Sequence, residues 1–161
     1  MLLAILSDTH DRAEIMQRAI QALQERGAEF FIHCGDVCEP SLLDGLAGLK
    51  SAFVWGNCDW DRAALQRYGD AIGVPCYGNF ANLELAGKRI AVLHGDDKTR
   101  MEAVLAAQEH DYLFHGHTHV RRDQRVGKTR VINPGALHRA SEKTVALLDL
   151  GSDRLEYLRI A

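Results

Sequence analysis

The segment FHGHTHV, residues 114–120, sets His115, His117 and His119 on alternate positions directly after an apolar run. One imidazole is an ordinary core or surface side chain. Three in five residues raise metal chemistry, because the neutral imidazole nitrogen is a common ligand of divalent ions. Alternate residues of extended chain share a face, so His117 and His119 can present their rings together. Four other apolar runs end in the same kinds of side chain: LLAIL in SDTH, FFIH in CGD, AFVW in GNCD and RIAVL in HGD. With GHTH (116–119) these segments offer Asp8, His10, Asp36, Asn57, His94, His117 and His119.

Taken singly, most of these pieces are ordinary. A lone D-x-H can cap a turn, G-D and G-N pairs are turn signals, and an isolated His94 is more simply a satisfied core histidine. The ordered set is different, because each piece follows a run that reads as a strand, and ligands of open α/β sheets bind beyond the carboxyl ends of strands. The set holds two carboxylates, four imidazoles and one amide. Seven ligands exceed the four of a tetrahedral zinc site and suit two divalent ions sharing one carboxylate. Two such ions bring +4 against −2 from the carboxylates, which makes a loaded site an anion trap. Phosphate esters are the substrate class that follows: a metal pair can hold phosphoryl oxygens and supply a metal-bound hydroxide for in-line attack.

The elements that must position these residues are legible in the same runs. LLAIL (2–6), FFIH (30–33) and AFVW (52–55) are short apolar runs expected of strands covered on both faces. Asp11 followed by Glu14 reads as a capping-box-like start for a helix whose apolar stripe is Ile15, Met16, Ala19, Ile20 and Leu23, with Gly27 as its stop. A shorter helix is expected over 41–49, one from Asp61 to about Gly69, and one over 99–108. Residues 81–93 read as a hairpin around Ala86–Gly87, 111–115 as a buried strand, 123–132 as a hairpin turning at Gly127–Lys128, and 144–160 as a third turning at Gly151–Asp153. The expectation is one α/β domain over 1–161, with βαβ units first and a hairpin-rich second sheet after them.

Composition bounds the function classes. At 161 residues, with 47% hydrophobic and 25% charged side chains, the chain can bury a substantial core. A formal net charge of −3 and no basic run argue against a groove for long nucleic acid. The start MLLAILSD is too short for a secretory leader or a membrane span, so a cytoplasmic location is expected. Cys34, Cys38, Cys58 and Cys76 lack zinc-ribbon spacing and are expected as free thiols.

The ordered motifs SDTH (7–10), GD (35–36), GNCD (56–59), HG (94–95) and GHTH (116–119), followed by INPGA (132–136), resemble the calcineurin-like metallophosphoesterase superfamily, in particular its small single-domain microbial phosphodiesterase branch. The resemblance implies a four-layer αββα sandwich with two mixed β-sheets and a dimetal site at strand C-terminal ends. It implies that Asp8, His10, Asp36 and His119 hold one divalent ion, and that Asp36 bridges to a second held also by Asn57, His94 and His117. Manganese is the first expectation for the metal, with iron, cobalt, nickel or zinc as alternatives. The expected reaction is hydrolysis of a small, nucleotide-like phosphodiester; phosphomonoesterase action and a non-catalytic binding module like the retromer subunit of this fold are the alternatives. Homodimerisation is a further feature that the resemblance allows, and no membrane partner is implied.

Three departures bear on mechanism. Cys58 stands where many superfamily phosphatases carry a histidine that protonates the leaving group, which predicts a preference for activated leaving groups. Asp96 follows HG where the branch often has histidine, and Ala136 replaces the usual serine of the NPGS element. Asp59 and Asp11 are candidates for orienting the site residues. His115 is expected to pack or to hydrogen-bond behind the ligands. His138 and Arg139 follow the INPGA turn, and the first reading of them is surface exposure without function, with contact to a phosphate as the alternative.

Overall fold

The structure is a computed structural model describing residues 1–161. Ten strands form two five-stranded sheets, with three α-helices and one 3-10 helix. In the first sheet, β1 (Leu2–Leu6), β2 (Phe30–His33) and β3 (Ser51–Phe53) run parallel. The hairpin of β9 (Thr144–Asp149) and β10 (Arg154–Arg159) adds to β1 antiparallel, giving the order β10-β9-β1-β2-β3. The second sheet has the order β4-β5-β6-β8-β7, where β5 (Lys88–Val92), β6 (Tyr112–Phe114) and β8 (Thr129–Asn133) are parallel. Its edges are β4 (Ala81–Leu85) and β7 (Arg122–Val126), each antiparallel to its neighbour. Both sheets are mixed, as expected. The last hairpin, however, completes the first sheet rather than the second, because Leu3 and Ile5 pair with Leu148 and Ala146.

Side-chain alternation along β1 builds the layers. Ala4 and Leu6 face α1 (Ala13–Glu25) and α2 (Arg62–Ile72), in a cluster with Met16, Ala19, Leu23 and Leu65. Leu3 and Ile5 point the other way, into an inter-sheet core with Ile32, Val54, Ile90, Val92, Phe114 and Ile132. The far face of the second sheet buries Ala91, Leu93, Leu113 and Val131 under Met101, Val104 and Leu105 of α3 (Lys98–Ala107). The result is four layers, helix–sheet–sheet–helix, with the inter-sheet core fixing how the two parallel triplets lie against each other.

Three helices differ from expectation. Helix α1 begins at Ala13 with Arg12 at its N-cap and no side-chain cap, so Asp11 does not cap it. The loop before it is bent by left-handed residues at Asp8 and His10, which leaves the Asp11 side chain exposed. The helix expected over 41–49 is instead a 3-10 helix, Pro40–Leu46, ended by extended backbone at Ala47. Helix α2 runs past Gly69 and stops at Gly73, whose left-handed φ of 74° closes it. No helix is long and apolar enough to cross a membrane.

Candidate metal centre

Because β1, β2 and β3 are parallel, and β5, β6 and β8 likewise, six carboxyl ends open on loops. The loops after β1, β2 and β3 carry Asp8 and His10, Asp36, and Asn57; those after β5 and β6 carry His94, then His117 and His119. Backbone bonds stitch them together. His10 N–H donates to Asp36 O at 2.8 Å, and Gly116 N–H to His94 O at 2.9 Å. Five of these residues, Asp8, His10, Asp36, His117 and His119, have φ between 49° and 67°. Left-handed backbone costs a non-glycine residue about 1–2 kcal/mol, and such strain persists where the surroundings enforce a functional geometry.

Glycine is required where the loops approach most closely. A Cβ on Gly116 would overlap Ser7 Oγ and the Asp8 carboxylate, and one on Gly56 would overlap the Asp36 carboxylate. The Asp8 and Asp36 carboxylates are therefore clamped against bare backbone. His117 N–H donates to Asp8 Oδ2 at 3.0 Å and Cys58 N–H to Asp36 Oδ1 at 2.8 Å, leaving one oxygen of each facing inward.

The inward atoms have the spacing of ligands. Two donors each about 2.1 Å from one ion, subtending roughly 90–110°, stand roughly 3.0–3.4 Å apart. His119 Nε2 lies 3.1 Å from Asp8 Oδ1, and His94 Nε2 lies 3.3 Å from Asp36 Oδ2. His10 Nε2 is 3.7 Å from Asp36 Oδ2, and His117 Nδ1 is 3.0 Å from Asn57 Oδ1. Asp8 Oδ1, His10 Nε2 and His94 Nε2 are buried with no hydrogen-bond partner despite that proximity. Unsatisfied polar atoms in a buried site are costly, and divalent cations are what would satisfy them. Donor atoms of Asp8, His10 and His119, of Asp8, Asp36 and His94, and of His10, Asp36 and Cys58 lie within 4.8 Å of one another in each group. The last group contains a thiol that the motif reading does not count as a ligand. The residues present fit divalent metal.

Electrostatics follow from the same contacts. Burial opposes charge on His94, but the close Asp36 carboxylate and the Asp8 charge outweigh it and raise its pKa to about 9. His94 Nδ1 lies 2.7 Å from Cys34 O, so this nitrogen carries the proton and Nε2 is the one available to a metal. Burial pushes the Asp36 carboxyl up, yet His94 and the Cys58 N–H draw it down to about 2. The Cys58 thiol is raised to about 11 by burial and by the Asp36 and Asp59 charges, so it is protonated at neutral pH.

Asp59 does not touch the inward-facing donors. Its buried carboxylate accepts four backbone N–H bonds: from Val37 at 2.9 Å and Cys38 at 2.7 Å on one oxygen, and from Asp36 at 3.0 Å and Gly56 at 2.7 Å on the other. It staples the Asp36 loop to the Asn57 loop. His115 is buried, with Nδ1 3.0 Å from Gly116 O. Asp96 is exposed, and Ala136 is fully buried.

Motif reading leaves out two positioning residues. Asn133, at the end of β8, is fully buried; its Nδ2 donates to Gly116 O at 2.9 Å and Thr118 Oγ1 at 3.1 Å while its Oδ1 accepts from Gly135 N–H. It holds the GHTH loop, and its only sequence signal is the asparagine of INPGA. His33, fully buried, accepts from Gly35 N–H at Nδ1, which makes Nε2 the donor to Thr9 Oγ1 at 2.7 Å. It reads in sequence only as the last residue of an apolar strand. His138 is not an isolated surface residue: its ring centroid is 4.8 Å from that of His10.

Comparison with known proteins agrees with this geometry. A family model for the calcineurin-like phosphoesterase superfamily domain matches residues 1–153. Phosphodiesterase MJ0936 of Methanocaldococcus jannaschii is 27% identical over 165 residues, covering 99% of this chain and 98% of that protein. A probable metallophosphoesterase of the same organism, MJ0623, is 29% identical over 167 residues, covering 97% and 79%. A solved structure described as a novel archaeal phosphodiesterase superposes with a TM-score of 0.91 at 25% identity over 99% of each chain. Vps29 of Entamoeba histolytica in complex with Zn2+ shares the fold, with a TM-score of 0.70 at 19% identity over 99% of each chain. Sheet order, loop chemistry and a match along nearly its whole length lead to one conclusion: the chain belongs to the calcineurin-like phosphoesterase superfamily.

Proposed function

We propose that this chain is a dimetal phosphodiesterase hydrolysing a small, nucleotide-like phosphodiester. In this reading Asp8, His10, Asp36 and His119 hold one ion, Asp36, Asn57, His94 and His117 hold the other, and Asp36 is shared. One observation carries it: three buried donor atoms, Asp8 Oδ1, His10 Nε2 and His94 Nε2, have no hydrogen-bond partner, while His119 Nε2 stands 3.1 Å from Asp8 Oδ1 and His94 Nε2 stands 3.3 Å from Asp36 Oδ2. The relatives named as phosphodiesterases favour the diester over the monoester.

The chain's own groups have distinct tasks. Asp8 and Asp36 bring negative charge, each with its second oxygen tied to backbone N–H so that the first stays aimed inward. Cys34 O fixes the His94 tautomer. When bound, two divalent ions supply Lewis-acid stabilisation of the phosphoryl oxygens and a deprotonated water at neutral pH. Water adds to phosphorus, the bond from phosphorus to the leaving oxygen breaks, and that oxygen departs with a proton. Cys58, still protonated, is a weak acid for this last step, which favours leaving groups that need no proton. Manganese is the first metal to try.

The test is hydrolysis of bis(4-nitrophenyl) phosphate beside 4-nitrophenyl phosphate, by metal-stripped protein with and without manganese, for the wild type and Asp36→Asn. Metal-dependent diester cleavage, lost in Asp36→Asn, is expected. Faster monoester cleavage would make the chain a phosphomonoesterase. No cleavage with any bound divalent ion would leave a binding module.

A further inference from the structure

Beside the His10 edge of the metal centre lies an open groove of about 760 Å³, within the range of small-molecule sites. Its walls are the start of α1 and the segment Leu137–Lys143 that follows the INPGA turn. Six charged side chains line it: Asp11, Arg12, Glu14, Arg18, Arg139 and Lys143. Four of them pair among themselves, Arg12 with Asp11 at 3.7 Å and Arg18 with Glu14 at 3.5 Å. Arg139 and Lys143 face no carboxylate partner, so the groove keeps an uncompensated positive pair in a chain of net charge −3.

Arg139 follows directly on a residue that touches the centre. The Arg139 backbone is held at φ 51°. His138, one residue earlier, sets its ring against His10. The two cations are thus carried on a segment that packs against a candidate ligand, His10, at the edge of the site.

We infer that this groove is an anion subsite: the substrate carries a second phosphate beyond the scissile phosphorus, and Arg139 and Lys143 bind it. The inference rests on the phosphodiesterase reading and sharpens its substrate class. A metal pair engages one phosphodiester; the separate cationic groove selects for a second anionic group on the same molecule.

The experiment compares thymidine 5′-(4-nitrophenyl phosphate) with its 3′-phosphorylated analogue, on manganese-loaded protein. The wild type is expected to show kcat/KM about tenfold higher for the analogue, through a lower KM, and a smaller ratio at high salt. Lys143→Ala combined with Arg139→Asn, where asparagine tolerates the left-handed backbone, is expected to bring the ratio to about 1. A wild-type ratio near 1, or a ratio retained by the double variant, overturns the subsite. A parallel binding measurement separates this failure from that of the esterase reading. Thymidine 3′,5′-bisphosphate should bind the loaded wild type about tenfold more tightly than thymidine 5′-monophosphate and lose that advantage in the double variant. If neither diester is cleaved but the binding preference holds, the esterase reading falls and the subsite stands; equal binding overturns the subsite.

Discussion

Substituting Asp59 by asparagine tests how the centre is held together. Its carboxylate accepts four backbone N–H bonds at 2.7–3.0 Å in a site only 2% exposed. An amide keeps one acceptor oxygen, which serves two of the four, and turns an NH2 group toward the other two donors. Each buried N–H left unpaired costs about 1–3 kcal/mol, so the loss is about 4 kcal/mol, a large share of the roughly 5–15 kcal/mol typical of whole domains. For a chain of this size that is roughly 8–16 °C in Tm. The assay is thermal unfolding of metal-free protein at pH 7, with Asp61→Asn as comparator. Asp61 lies two residues on and caps α2 through a single exposed bond to Ala64 N–H, a role asparagine fills nearly as well. Equal and small shifts for the two variants would refute the stapling role of Asp59. So would unaltered manganese affinity in Asp59→Asn, since the staple fixes the loop that carries Asp36.

Two further outcomes follow from the same groups. Metal-free protein should be most stable near pH 6.5. Burial lowers His33 and His115 to about 4, so the stability they permit is full above 6.5 and lost as pH falls toward 4. His94, raised to about 9 against its burial by Asp36 and Asp8, gives stability that is full below 6.5 and lost as pH rises through 9. Each histidine is worth at most about 3 kcal/mol, since every tenfold change in proton affinity on folding corresponds to about 1.36 kcal/mol. A flat Tm profile from pH 4.5 to 9 would contradict the assignment. Cys58→His should raise turnover of alkyl diesters about tenfold or more while changing aryl diesters little, because only the poorer leaving group needs an acid; an unchanged dependence on leaving-group pKa would remove Cys58 from that position.

Much of the fold was legible because period and punctuation agreed. The apolar stripe of α1 and the turns at Ala86–Gly87 and Gly127–Lys128 lie where the residues indicate. Convergence of five loops was legible for the same reason, since parallel strands must open their carboxyl ends on one edge. Asp11 misled because a cap is a local rule, and here the left-handed turns at Asp8 and His10 rotate the chain before α1 starts. Destination of the last hairpin was not legible either: pairing to β1 depends on the inter-sheet core, not on the hairpin's own residues. Nor does a motif disclose that Asp59 spends both oxygens on backbone, or that Asn133 clamps the earlier loop at Gly116 and Thr118. Those roles exist only once remote backbone groups have been brought within reach.

The centre straddles a seam: Asp8, His10, Asp36 and Asn57 come from the first sheet, and His94, His117 and His119 from the second. An ion shared by Asp8 and His119, or by Asp36 and His94, is then a tie across the seam, closing long stretches of chain as a disulfide would. Metal supply in that case governs the lifetime of the protein as well as its chemistry. A starved copy keeps its apolar core but loses the tie at the loop edge, and that edge becomes the first point of entry for a protease.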